Sequence, residues 1–469
     1  MRKAALFPKA AFFPEREEIM EKRKNAIWIM SDQQRAMMLS CNGDPNLHTP
    51  EIDTLANMGV NFSSAVGGFP LCCPCRGSML TGLYPHHCVP GHEYQLPPQQ
   101  PTIAHVLNEN GYHTAYIGKW HLDGFHERDG RAAFHIIPPE RRGGFQYWVG
   151  YENNNSQYDC WVHGGEGESA FHYRLPGYET DELTNLLLRY LEGRRGKDEP
   201  FFAVLSVQPP HNPYIAPPEY MARFQPQQMR LRANVPPIPR IEQQARQSYA
   251  GACAMVENLD WNVGRVRAKL DELGMADDTH ILFFSDHGDM HGSHGMCHKT
   301  NPYEESIRVP FIMGGGRTHY GAASNVRVDY PINHVDVAPT TLGLLGVPVP
   351  EWMEGTDYSA VRFRSWLDRR PLPEYPDSAY IQNVVPTRHP HSTDLPWRGL
   401  VTRDGWKYVC LPNTPWLMFD LNEDPYEFVN LAHNTVYLKK RMELNERLRK
   451  WVEDTGDAFD VPAIEPLHW

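Results

Sequence analysis

Four short apolar runs in this chain each end on a residue able to do chemistry. Residues 26–30 (AIWIM) lead into Ser31-Asp32-Gln33-Gln34, and residues 113–117 (HTAYI) into Gly118-Lys119-Trp120-His121. Residues 201–207 (FFAVLSV) lead into Gln208-Pro209-Pro210-His211, and residues 281–284 (ILFF) into Ser285-Asp286-His287-Gly288. Near-continuous apolar runs leave no solvated face, so they read as strands buried on both sides. Helical patterns stand between them, at 51–58, 102–110, 181–192 and 247–273. The alternation predicts an α/β fold with a mainly parallel central sheet flanked by helices. Ligands of such sheets bind beyond the carboxyl ends of the strands, so the four tips should converge. One polar residue after a strand is an ordinary turn. Four tips carrying Asp, Lys with His, His, and Asp with His make a candidate site. Asp32, Asp286 and His287 point to a divalent cation. Carboxylate oxygens suit Ca²⁺, Mg²⁺ or Mn²⁺, the imidazole tilts the set toward Mn²⁺, and Gln33 can add a carbonyl oxygen.

At 469 residues the chain has room for two or three domains, or for one large α/β domain with an addition. Proline-rich connections at 347–350 and 371–376 divide it. The expected organisation is an N-terminal extension (1–24), a catalytic domain (25–365) and a C-terminal subdomain with tail (366–469). The last part shows short strands at 379–385, 399–402, 406–411 and 416–420, then a helix at 436–452. That pattern predicts a small α+β unit with an antiparallel sheet. The net charge of −12 is the opposite of a polyanion binder's, so no nucleic acid partner is expected. No run approaches the eighteen apolar residues of a membrane span. The basic N-terminus is interrupted at Pro8 and Lys9 before any signal-like apolar stretch develops, so a cytoplasmic location is expected. Nine cysteines, six of them scattered singly, fit a reducing compartment better than a disulfide framework.

The other three cysteines crowd into Leu71-Cys72-Cys73-Pro74-Cys75-Arg76-Gly77-Ser78-Met79-Leu80-Thr81-Gly82. A zinc site would need a second ligand pair, and no second C-x-x-C completes it. A redox pair fits the Cys72/Cys75 spacing but leaves Arg76 and Thr81-Gly82 without a role. Inert buried thiols are the plainest reading, against which stands the polar setting of a loop-to-helix junction.

A fourth reading comes from spacing. Cys72-x-Pro74-x-Arg76, then Thr81-Gly82, resembles the C-x-P-x-R-x4-T-G signature of the type I, formylglycine-dependent sulfatases of the alkaline-phosphatase-like superfamily. Other elements follow the same family in order: Asp32-Gln33, the helix from Thr49-Pro50, Gly118-Lys119-Trp120-His121, His211, Asp286-His287-Gly288, Lys299, the stretch 304–310, and 418–431 near the C-terminus. The likeness spans roughly residues 25–455. It implies that a maturation enzyme oxidises Cys72 to formylglycine. It further implies one divalent metal, Ca²⁺ before Mn²⁺ or Mg²⁺, on Asp32, Gln33, residue 72, Asp286 and His287. By the resemblance, a geminal hydroxyl of hydrated formylglycine attacks sulfur and the second lets the intermediate collapse. A serine would instead leave a stable sulfate ester. Arg76 would hold the hydrate, His121 assist its deprotonation, His211 protonate the leaving oxygen, and Lys119 and Lys299 neutralise the sulfate.

The implied activity is hydrolysis of a sulfate monoester, with a sulfated carbohydrate as the expected class of substrate. One departure opens an alternative. Many sulfatases carry two aspartates at the first strand end, whereas Asp32-Gln33 also occurs in choline sulfatases and phosphonate monoester hydrolases. A phosphonate monoester or phosphodiester hydrolase is therefore the second activity. A sulfate-binding protein without catalysis is a third reading, opposed by the complete set of expected residues. Two long loop-like segments, 122–145 and 224–246, hold arginines that could meet further sulfates or carboxylates on a sugar, or could be solvated charges. His92 is a further pocket candidate.

Overall fold

In the computed structural model, which describes residues 23–316, 324–364, 371–389 and 393–464, the four apolar runs lie side by side in one sheet. Its strands are β1 (Asn25–Asp32), β2 (Val60–Phe62), β3 (His113–Lys119), β4 (Tyr147–Tyr151), β5 (Trp161–Gly164), β6 (Phe171–Arg174), β7 (Phe201–Pro210), β8 (Thr279–Ser285), β9 (Phe311–Gly315) and β10 (Val326–Val328). The order is β10-β2-β9-β8-β1-β7-β3-β4-β5-β6. The central strands β8, β1, β7, β3 and β4 are mutually parallel, and antiparallel pairs stand toward both edges. Most of the N-terminal extension and the 365/366 boundary lie outside the described residues.

The strands are apolar throughout because both faces are covered. Along β1, Ala26, Trp28 and Met30 enter one core layer, while Ile27 and Ile29 enter the other. Trp28 meets Phe202 and Phe284 edge-on at 4.9 and 5.6 Å, and its indole N–H donates to Thr341 Oγ1 at 2.9 Å. The opposite layer packs on the helices Glu179–Gly193 and Pro239–Glu272. The second of these corrects the reading of 224–246 as a loop, since helix begins at residue 239. Proline at the first helical position costs no hydrogen bond and presets φ, so Pro239 starts the helix instead of preventing it. Residues 122–145 hold only three short 3-10 turns and are otherwise irregular.

The C-terminal strands β11 (Ser378–Asn383), β12 (Trp397–Thr402), β13 (Trp406–Leu411) and β14 (Thr414–Asp420) form an antiparallel sheet, followed by the helix Leu438–Asp454. This unit shares core with the first: Tyr84 and Val335 pack with Leu444 and Leu448, and Val66 and Ile307 with Trp397 and Phe419. A buried cation pins the two together. Lys407 of β13 is fully buried, donates to the Pro302 carbonyl at 2.7 Å, and contacts the carboxylates of Glu304 (3.3 Å) and Glu427. Replacing it by methionine leaves these buried acids without that cation. Lys407→Met is expected to lower the unfolding free energy by about 3 kcal/mol, read as an earlier urea midpoint.

Candidate active site

Parallel register brings the predicted tips together. Ser31 of β1 pairs with Ser285 of β8, so the next residues, Asp32 and Asp286, stand as neighbours. Asp32 also pairs with Pro210 at the end of β7, next to His211. Strand β3 lies on the far side of β7 and ends at Lys119. It approaches β7 closely, since a Cβ on Gly118 would sit 2.0 Å from the Ser206 carbonyl oxygen, and φ there is +111°. Gln33 and His121 take left-handed φ values of 67° and 58°, so the chain turns sharply just past both strand ends.

Cys72 opens the helix Cys72–Thr81, after extended Leu71. Pro74 falls in the first turn, where the helix needs no N–H, and Gly82 ends the helix at φ 68°. Cys73 and Cys75 are fully buried. Cys73 lies in the hydrophobic core, and the Cys75 thiol donates to the Phe69 carbonyl at 2.8 Å. Cys75 thus lacks the polar setting expected from the sequence, whereas Cys73 keeps part of it, since its sulfur accepts from the Glu93 backbone N–H at 3.4 Å and lies within 4.8 Å of donor atoms of His92 and His121. Burial raises the pKa of all three thiols, and for Cys72 the Asp32 charge adds to it while Lys119 and Lys299 oppose. A redox pair needs a depressed thiol pKa, so these sulfurs are poorly suited to that role.

Donor atoms of Asp32, Cys72, Asp286 and His287 all lie within 4.8 Å of one another, and all four residues are buried. The Cys72 sulfur marks the position that the oxygens of the oxidised residue would take. His287 suits a cation. Its Nδ1 hydrogen-bonds the Gly288 carbonyl at 3.0 Å, leaving Nε2 facing Cys72 Sγ at 3.2 Å and Asp32 Oδ1 at 3.5 Å. Burial, reinforced by Lys299, lowers its pKa to about 4, so the ring is neutral. Gln33 fits too. Its side-chain nitrogen donates to Asp289 Oδ2 at 2.6 Å, which fixes the amide orientation and leaves the buried Oε1 without a partner. Hard oxygens plus one neutral imidazole form a reasonable donor set for a divalent ion.

Three cations surround the two carboxylates. Lys119 Nζ lies 2.6 Å from Asp32 Oδ2, and Lys299 Nζ lies 3.1 Å from Cys72 Sγ. Arg76, expected to hold the hydrate of residue 72, spans the carboxylates: Nη2 stands 3.2 Å from Asp32 Oδ2 and 3.1 Å from Asp286 Oδ2. Its Nη1 donates to the Lys119 carbonyl and to Ser206 Oγ, both at 2.9 Å. Burial alone would raise the Asp32 pKa, but Lys119, His211, Lys299 and Arg76 together hold it well below the usual carboxylate range. His211 is half-buried and is pushed toward the neutral form by desolvation and by Lys299; its Nδ1 lies 2.7 Å from the Asn212 carbonyl. His121 is likewise held neutral, chiefly by burial and then by Lys119. Its ring faces His92 edge-on at 5.9 Å.

Sequence reasoning missed Asp289, Tyr214 and Ser206. Asp289 accepts from both Gln33 and the Tyr214 hydroxyl at 2.6 Å, and so fixes Gln33. It lies only three residues past Asp286, so a longer look at Asp286-His287-Gly288-Asp289 would have found it. Tyr214 and Ser206 carry no such local signal.

The Sulfatase family profile matches residues 24–347, and that of the N-sulphoglucosamine sulphohydrolase C-terminal region matches 292–454. An ulvan-active sulfatase of Formosa agariphila is 33% identical over 443 residues, covering 93% of this chain and 82% of that protein. An N-acetylglucosamine-6-O-sulfatase of Bacteroides thetaiotaomicron is 25% identical over 533 residues, covering 95% and 89%. The solved Bacteroides fragilis yidJ structure superposes with a TM-score of 0.82 at 26% identity, covering 94% of this chain and 97% of that one. Likeness of this extent, joined to a buried cluster that unites both carboxylates with the cysteine, makes the chain a member of the sulfatase family, the sulfuric ester hydrolases that rely on a divalent metal and a cysteine-derived formylglycine.

Proposed function

We propose that the protein hydrolyses a sulfate ester on a saccharide, with residue 72, as formylglycine, at the point of attack. The observation that carries this reading is the grouping of Asp32, Cys72, Asp286 and His287 within 4.8 Å. The saccharide part draws support from relatives named for ulvan and N-acetylglucosamine-6-O-sulfate. Asp32, Gln33, Asp286 and His287, together with residue 72, would hold the cation. Three oxygen-bearing side chains favour Ca²⁺, and the imidazole keeps Mn²⁺ within range. When bound, the metal and the formylglycine supply Lewis acidity and a hydroxyl nucleophile.

The protein's own residues do the rest. Arg76, Lys119 and Lys299 exceed Asp32 and Asp286 by one positive charge, so the site suits an anion before any metal is counted. Lys299 is placed to meet a sulfate oxygen and Lys119 to steady Asp32. Arg76 holds the two carboxylates at fixed separation, a positioning role. His121, neutral in the free site, is able to accept a proton from the nucleophile. His211 takes the acid role, and an anionic substrate beside it would favour its protonated form against the push of Lys299.

Two measurements test this. Parallel rates on para-nitrophenyl sulfate and a phenyl phosphonate ester should favour the sulfate, and the reverse order would transfer the site to phosphonate chemistry. His211→Ala should slow a sugar sulfate by roughly 10²- to 10³-fold. Para-nitrophenyl sulfate, whose leaving group needs no proton, should lose less than about tenfold. Equal losses on both substrates would remove His211 from the acid role.

A further inference from the structure

We propose that a cavity of about 300 Å³ at the catalytic end of the sheet is a second anion site, which takes a sulfate or carboxylate group of a saccharide. Its charged lining is Arg35, Arg232, Arg308 and Arg327 against Glu304 and Glu305. Two of the arginines are already matched: Arg232 Nε lies 2.6 Å from Glu305 Oε1, and Arg308 Nη2 lies 2.7 Å from Glu304 Oε2. Arg35 lies in the field of Glu305 and of Asp44 behind it, so with Asp44 counted four arginines face three acids and one positive charge remains in excess. Arg35 is only 3% exposed, its guanidinium stacks on the Tyr249 ring at 4.4 Å, and its Nε has no hydrogen-bond partner. A buried guanidinium with donors to spare is costly to keep unless an anion uses it. Arg327 is exposed at the mouth, with Nη1 3.3 Å from the Cys41 carbonyl. Phe62, Met37 and Tyr426 add apolar surface of the kind that packs on a sugar ring.

The cavity opens at the same end of the sheet as the catalytic centre. Strand β2 is antiparallel to β9, and β9 to β8, so β2 runs with β8 and its Phe62–Ser63 end faces the same way as Asp286. Arg35 follows Asp32 by three residues. Its Cβ would lie 3.1 Å from a Cβ placed on Gly288, two residues past Asp286. A chain-like substrate carrying several acidic groups could therefore engage both places. The saccharide identity rests on the function proposed above; the anion site itself does not.

Inorganic sulfate titrated calorimetrically into the full-length protein should find two sites. Arg327→Ala and Arg35→Met should each weaken one of them roughly tenfold or more, and leave para-nitrophenyl sulfate turnover within about twofold. Because Arg327 is exposed, its variant keeps the test valid even if Arg35→Met fails to fold. A single sulfate site in the wild type, or unchanged binding in Arg327→Ala, overturns the proposal. A tetramer of galacturonate carries carboxylates but no sulfate ester, and it should displace sulfate from the cavity. Displacement by inorganic phosphate but not by the tetramer would overturn the saccharide assignment. None of the binding readouts needs turnover, so a protein inert toward sulfate esters would sink the activity while leaving the cavity test intact.

Discussion

Cys72→Ala is expected to lower turnover of para-nitrophenyl sulfate by roughly 10⁴-fold or more, with little change in the urea midpoint. The sulfur touches the groups that matter and few others: His287 Nε2 at 3.2 Å, Lys299 Nζ at 3.1 Å and Asp32 Oδ1 at 3.6 Å. Alanine removes the nucleophile and keeps both carboxylates, all three cations and the imidazole. Divalent metal should still bind, more weakly by the loss of one ligand, as calorimetry would read. Cys72→Ser separates chemistry from geometry. A serine oxygen could be sulfurylated once but has no second hydroxyl to drive collapse, so one turnover followed by arrest is expected, with one added sulfuryl group on the peptide ending at Arg76. In the active wild type, that same peptide should weigh less than its cysteine form and react with an aldehyde probe. An alanine variant with undiminished turnover would remove residue 72 from the chemistry altogether.

The site was legible because its main parts sit where local sequence and sheet geometry coincide. Asp32, Lys119, His211 and Asp286 each follow a buried strand, and parallel order among β8, β1, β7 and β3 brings those ends together. Periodicity located the strands, since doubly covered strands are apolar at every position. The same signal is blind to where a helix begins after prolines, which is why the start at Pro239 read as loop. It is blind also to burial of short polar-looking motifs, so Cys73 and Cys75 looked exposed. Support from distant segments leaves no local trace. Tyr214 reaches Asp289 from the loop after β7, and Ser206 meets Arg76 from within an otherwise apolar run. The arginine cavity is the extreme case, since Arg35, Arg232, Arg308 and Arg327 come from four separate stretches. The arginines of 224–246 raised the idea of a second acidic group, but only the fold shows which one faces a cavity.

Arg76→Met should produce the largest loss of stability in the catalytic domain, and the loss should depend on metal. The Arg76, Asp32 and Asp286 side chains are all fully buried, and among the described residues the guanidinium is the one cation in contact with both carboxylates. Without it, Asp32 keeps Lys119. Among the described residues, Asp286 then keeps neutral groups in contact: the backbone N–H groups of Gln33 at 3.1 Å and His287 at 2.9 Å, and the His287 ring at 3.7 Å. Breaking a buried ion pair by removing one partner strands an uncompensated charge, which costs about 3–5 kcal/mol. The Lys119 carbonyl and Ser206 Oγ also lose their 2.9 Å donor. Methionine fills much of the arginine stem's volume, so a cavity contributes little. A divalent ion held between the same carboxylates would restore countercharge, and it binds the folded state alone. The gap between Arg76→Met and wild type in urea unfolding should therefore be widest in EDTA and should shrink when Ca²⁺ is added. A gap of full size under both conditions would mean that the carboxylates do not share a cation. No gap in EDTA would mean that Arg76 does not brace them.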